Sequence, residues 1–142
     1  MAAAQDLRGD LSLHKLLVEG EGWELAVPGL GFADGPCADA AGNFYFSDMR
    51  KGPAGPGIFR IGPEGRKEML FPEAASGLKF GPDGRLYACQ GRDRRIAAFD
   101  LDTRKREVIA TDVQPNDLVV THRGHLYFTE TRKGEVALVD LA

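Results

Sequence analysis

Three stretches decide the fold: Gly35–Asp48, GPCADAAGNFYFSD; Gly77–Gln90, GLKFGPDGRLYACQ; and Asp117–Glu130, DLVVTHRGHLYFTE. Their turn glycines, Gly42, Gly84 and Gly124, lie 42 and 40 residues apart, and Tyr45, Tyr87 and Tyr127 keep the same spacing. A recurrence near this period marks a repeat architecture and has to be settled before any other feature. In each unit a short apolar run leads into a tight turn, AAGN, PDGR or HRGH. The turn Gly supplies the positive φ that a hairpin needs. A second strand follows (FYFS, LYAC, LYFT), then a polar loop, then a third strand at Ile58–Ile61, Ile96–Phe99 and Val136–Val139. Fourth strands are expected at Lys67–Phe71 and Glu107–Thr111. Helical 3.6-residue periodicity is confined to Leu11–Val18. Four antiparallel strands per unit of this length make a propeller blade, whereas the helical repeat classes of similar period lack such strands.

The phase of the repeat carries further expectations. Trp23–Val27 (WELAV) matches the fourth-strand segments, and no such segment follows Val139. The reading is an all-β propeller of three four-stranded blades, at about 23–65, 66–105 and 106–142, the third lacking its own outer strand. Residues 1–22 form an N-terminal extension with a short helix. Three blades do not close a ring, since propellers need at least about four, so two blade faces and two strand edges stand open to association. A C2 homodimer in which each N-terminal strand completes the partner's third blade answers that need.

In a propeller the residues just before each innermost strand point at one shared place. Here they are Asp34, Ser76 and Asn116, all oxygen-bearing. Oxygen donors suit a hard divalent cation; Asp, Ser and Asn are equally ordinary at turns and strand starts. The loops on that rim carry Arg50, Lys51, Arg92, Arg94, Arg95, Arg132 and Lys133, which read either as a guide for anions or as solvated loop charge. His122 and His125 bracket a turn at the other rim without further ligands, a poor metal pair. Cys37 and Cys89 sit inside apolar runs and read as small buried hydrophobes.

At these motifs the sequence resembles the gluconolactonase, senescence marker protein and luciferin-regenerating enzyme family. The matching text is GFADGPCADAAGNFYFSD, SGLKFGPDGRLYACQGRDRRIAAFD and PNDLVVTHRGHLYFTET, spanning about Trp23 to Asp140. The resemblance covers the N-terminal half of that family's six-bladed propeller. It implies hydrolysis of lactones, typically of aldonic acids, with a divalent metal in the channel: Ca²⁺ first, with Zn²⁺ or Mg²⁺ as alternatives. It carries metal ligation to Asp34, which stands where the family has Glu, and to Asn116. It carries substrate binding to Asn116, which Ser76 is expected to share from its equivalent place in the repeat, and acid–base catalysis to Asp117, for which a structural strand-start carboxylate is the equal alternative. Two further family ligands have no counterpart in this chain. A non-catalytic propeller fragment or binding module is therefore the competing reading.

Composition sets outer bounds. Hydrophobic content of 43%, charged content of 27% and a net charge of −3 fit a globular protein and argue against nucleic acid as the main partner. No apolar run approaches the roughly 18 residues a membrane span requires, so no membrane partner is expected. Met1–Gln5 lacks the basic and apolar regions of an intact signal peptide, which leaves cytoplasmic, periplasmic and secreted locations open. The expected partner is a small lactone or sugar acid.

Overall fold

The computed structural model describes residues 20, 22, 24–50 and 55–141. Eleven strands among them form three antiparallel sheets. Sheet one contains β1 (Ala33–Ala38), β2 (Phe44–Asp48), β3 (Gly57–Ile61) and β4 (Lys67–Phe71) in spatial order. Sheet two contains β5 (Gly77–Phe80), β6 (Leu86–Gln90), β7 (Arg95–Phe99) and β8 (Arg106–Thr111), and sheet three β9 (Leu118–Val120), β10 (His125–Glu130) and β11 (Glu135–Asp140). A short 3₁₀ turn, Gly91–Asp93, joins β6 to β7. The all-β blade reading holds, and sheet three has three strands.

Two expectations are corrected. Each outer strand pairs with the sheet before it, so the sheets run 33–71, 77–111 and 118–140 and do not break near 65 and 105. Residues 24–30 carry no strand. Leu25, Ala26, Val27 and Leu30 instead line a groove over Phe44 and Phe46 of sheet one. Trp23 and the expected helix at Leu11–Val18 lie outside the described residues.

Strand alternation explains the packing, because successive side chains leave a strand on opposite faces. Tyr45 and Ile58 of sheet one meet Leu78, Leu86 and Phe99 of sheet two in one buried cluster. The Tyr45 and Phe80 rings stand edge to face at 5.0 Å, and Phe71 lies 4.4 Å from Phe99. Tyr87, Ile96 and Ala98, on the other face of sheet two, meet Leu118, Leu126 and Phe128 of sheet three. The three inner strands lie side by side along one axis, β1 against β5 and β5 against β9. The approach is close enough that a Cβ on Gly77 would come within 2.7 Å of Asp117 Oδ1. Cys37 and Cys89 are both free thiols. Burial pushes the Cys37 thiol up to about 11 and that of Cys89 higher still.

The rim with the β1–β2 and β5–β6 hairpins is fastened by tyrosines. Tyr45 donates to Asp39 Oδ2 at 2.8 Å, and Tyr87 donates to Asp83 Oδ2 at 2.9 Å. These two aspartates do not occupy equivalent repeat positions. The equivalent of Asp39 is Gly81, where a Cβ would collide with the Tyr87 ring at 2.5 Å.

Candidate functional site

The opposite rim gathers the segments that enter the inner strands. Each is held by the last residue of the neighbouring second strand: Asp48, Gln90 or Glu130. All three are buried and recur at the 42- and 40-residue spacing of the repeat. Asp48 accepts the amide N–H groups of Gly31, Phe32 and Arg50 at 3.0, 2.8 and 3.2 Å. Burial alone would raise this carboxyl, but those three donors bring it below the usual Asp range. Glu130 accepts the Gln114 N–H at 3.2 Å and Lys133 Nζ at 3.1 Å, and the lysine holds it below the usual Glu range.

Gln90 works as an amide. It donates to Glu73 at 3.1 Å and accepts from Arg95 Nε at 2.7 Å. Glu73 also takes Arg95 at 3.1 Å and Arg106 at 2.9 Å. Burial alone would raise the Glu73 carboxyl, yet Gln90 and the two guanidiniums bring it down. These latches were not anticipated from the sequence. Their signal was the recurrence of a polar residue at the end of FSD, ACQ and FTE.

A cavity of about 670 Å³ opens between the latched segments. Ser76 and Asn116 both line it, together with Gln90, Arg92, Gln114 and Arg132. Their backbones are placed alike: the Ser76 N–H donates to the Cys89 carbonyl and the Asn116 N–H to the Thr129 carbonyl, each at 2.9 Å. Asp34 does not line this cavity; it lines the groove beside Phe44 and Phe46. The cause is a register shift. Sheet two pairs Gly77 with Cys89 in an unbroken ladder, but β1 accommodates an extra residue between Asp34 and Cys37, which sets Asp34 opposite Ser47. A one-residue shift turns a side chain to the other face. Asp117 lines a third groove, on the open face of sheet three with Val119 and Tyr127. Its Oδ1 accepts the Leu118 N–H at 2.8 Å.

The expected ring of cations resolves into separate roles. Arg95 and Lys133 are tied into the latches, and Arg94 pairs with Asp112 at 3.6 Å. Arg50 stacks its guanidinium over Phe32 at 5.2 Å. Arg92 and Arg132 line the cavity, and Lys51 lies outside the described residues. On the other rim His125 faces Asp140 at 4.0 Å.

The donor set can be tested against Ca²⁺, which takes about six to eight oxygens. Asp34 and Asn116 face different cavities. Among the described residues no group of three His, Cys, Asp or Glu side chains stands together to hold a metal ion. The described residues of one chain therefore do not fit a Ca²⁺ centre.

No protein-family model matches the chain. The chain is 34% identical over 130 residues to a gluconolactonase of Zymomonas mobilis, a match covering 78% of this chain. This chain is a gluconolactonase homologue. Its structural neighbours include gluconolactonases and a luciferin-regenerating enzyme. The homologue spans only 36% of the length of its Zymomonas relative. A gluconolactonase of Xanthomonas campestris, important in glucose secondary metabolic pathways, superposes with a TM-score of 0.64 at 21% identity, covering 74% of this chain and 37% of that one. A chain of a nidogen–laminin complex superposes with a TM-score of 0.69, also at 21% identity, covering 80% of this chain and 45% of that one. At these identities the two structures speak for the propeller fold alone. Among the described residues no helix is long and apolar enough to cross a membrane.

Proposed function

We propose that this homologue provides the substrate rim of a lactone hydrolase of the gluconolactonase type. The supporting observation is the pairing of Ser76 and Asn116 on one cavity in a chain with 34% identity to a gluconolactonase. A lactone presents a ring oxygen, a carbonyl and several hydroxyls. The Asn116 amide and the Ser76 hydroxyl offer both donors and acceptors to such a ligand. Arg92 and Arg132 favour the carboxylate that ring opening releases. Asp117 is assigned as the base that takes the proton of the attacking water, a role worth about 10²–10⁴ in rate. It opens on the neighbouring face, so that role requires a further sheet to enclose it.

The test is base uptake during hydrolysis of glucono-δ-lactone, corrected for spontaneous opening, with Ca²⁺ and with a chelator. Turnover above background is expected, with Asn116→Ala losing at least about tenfold in kcat/KM, the scale of one lost polar contact. A loss in kcat alone on Asp117→Asn supports its role as base. Gluconate binding with no turnover under either condition overturns the hydrolase reading and leaves a non-catalytic binding module.

A further inference from the structure

An arginine recurs on the cavity rim at the period of the repeat. Arg50, Arg92 and Arg132 each stand two residues beyond the latch of their sheet, and so lie 42 and 40 residues apart. Each also follows, by 16 residues, the polar residue that enters its inner strand: Asp34, Ser76 or Asn116. In sheets two and three both members of that pair reach one place. Ser76 with Arg92, and Asn116 with Arg132, line the same cavity of about 670 Å³, a size in the range of small-molecule sites. In sheet one neither member does. Asp34 lines the groove beside Phe44, and the Arg50 guanidinium lies over the Phe32 ring at 5.2 Å.

The two cavity arginines differ from the cations around them. Arg94 pairs with Asp112, Arg106 with Glu73, and Lys133 with Glu130. The acids on the cavity wall, Glu73 and Asp93, are both held by Arg95, each at 3.1 Å. Arg92 and Arg132 are exposed and have no ion-pair partner among the described residues. The chain carries a net charge of −3, so this cavity is a local reversal of sign. A guanidinium presents its N–H donors in a planar fork that fits a carboxylate or a phosphate.

A neutral lactone uses such a pair poorly. It arrives without charge, and the carboxylate that ring opening releases occupies only one guanidinium. Two guanidiniums, one from each sheet, match a molecule with two anionic groups: one made by the reaction and one present before it. Only the second can be attracted and held while the ring is still closed.

We propose that the substrate of this site is a sugar lactone that already bears an anionic group, a carboxylate or a phosphate, remote from the lactone carbonyl. The proposal rests on the lactone-hydrolase reading of the same cavity. Ser76 and Asn116 take the ring and its hydroxyls. One of Arg92 and Arg132 takes the existing anion, and the other takes the new carboxylate. Opening breaks the bond between the acyl carbon and the ring oxygen and joins the water oxygen to that carbon. One proton of the water goes to the ring oxygen, which becomes a hydroxyl, and the other leaves as the acid ionises. The product therefore carries one negative charge more than the substrate.

The test is calorimetric binding of three product acids to the full chain, which needs no turnover. Gluconate has one anionic group, glucarate has two carboxylates, and 6-phosphogluconate has a carboxylate and a phosphate. Glucarate, 6-phosphogluconate or both should bind at least about tenfold more tightly than gluconate, the scale of one added charge-assisted hydrogen bond. The tighter of the two names the anion. Arg92→Gln and Arg132→Gln together should erase the preference, whereas Arg50→Gln should leave it intact, since that side chain lies over Phe32. Both cavity arginines are exposed, so an unchanged urea midpoint would show that the double variant still folds. Equal affinity for the three acids overturns the proposal and leaves the lactone-hydrolase reading standing. A preference that survives loss of both arginines also overturns it. Binding of none of the three removes the reading itself, and the proposal with it.

Discussion

Sheets two and three present the same face to opposite surroundings. Tyr87, Ile96 and Ala98 are at most 1% exposed, because sheet three lies on them. Tyr127, Val136 and Leu138 occupy the equivalent places and remain in contact with water. The residue types are comparable, and so is the backbone. A repeat therefore specifies faces that are apolar in advance of being covered, and burial comes from the neighbour. The energetic value of a position in this protein cannot be inferred from its residue type alone.

The largest effect should come from equivalent truncations on the two faces. Ile96→Ala should cost about 2–5 kcal/mol, by lost transfer energy and the cavity left behind. Val136→Ala should stay within about 0.5 kcal/mol, as an exposed substitution does. Urea unfolding in dilute protein measures both.

The latches differ between sheets in a second way. Sheet one uses a carboxylate, Asp48, where sheet two uses the amide of Gln90. Asp48→Ala would strand three amide donors and should cost about 1–3 kcal/mol. The Asp48 carboxyl titrates below its ordinary value in the folded chain. Its contribution is therefore complete above the unfolded value of about 3.9 and is lost as pH falls through the lower folded value. Asp48→Asn should remove that part of the acid sensitivity, read as a flatter dependence of the urea midpoint on pH below about 4. Gln90→Glu should add acid sensitivity where sheet two now has none at that position.

The smallest effect belongs to the outer ion pair. Arg106 reaches Glu73 at 2.9 Å, but its side chain is 38% exposed. Arg106→Ala should cost no more than about 1 kcal/mol and less in high salt. A loss several times larger would mean that the Gln90, Glu73 and Arg95 network fails as a unit.

Much of the fold was legible because strand pairing follows local rules. The turn glycines and alternating apolar residues located the eight second, third and fourth strands to within a residue or two; the three first strands were placed only by the turns that end them. The segment 24–27 was misread because resemblance to KEMLF and EVIAT describes its residue types and not what it pairs with; a strand needs a partner edge as well as a pattern. The pairing of Ser76 with Asn116 was legible for the same reason as the strands, since both sit on straight ladders. Asp34 was not, because one extra residue in β1 has no signature in composition and yet reverses where the side chain goes. The latches at Asp48, Gln90 and Glu130 were hidden by their chemistry: Asp, Gln and Glu share a task here that no single residue type defines.

The two tyrosine clamps on the far rim show how such tasks migrate. In one blade the acid precedes the turn, at Asp39; in the next it sits inside the turn, at Asp83, and Gly81 stands at the place equivalent to Asp39. The phenol keeps its acceptor although the column in which that acceptor is written has moved. Related blades aligned letter by letter would score this as a loss, when what persists is a distance between two oxygens.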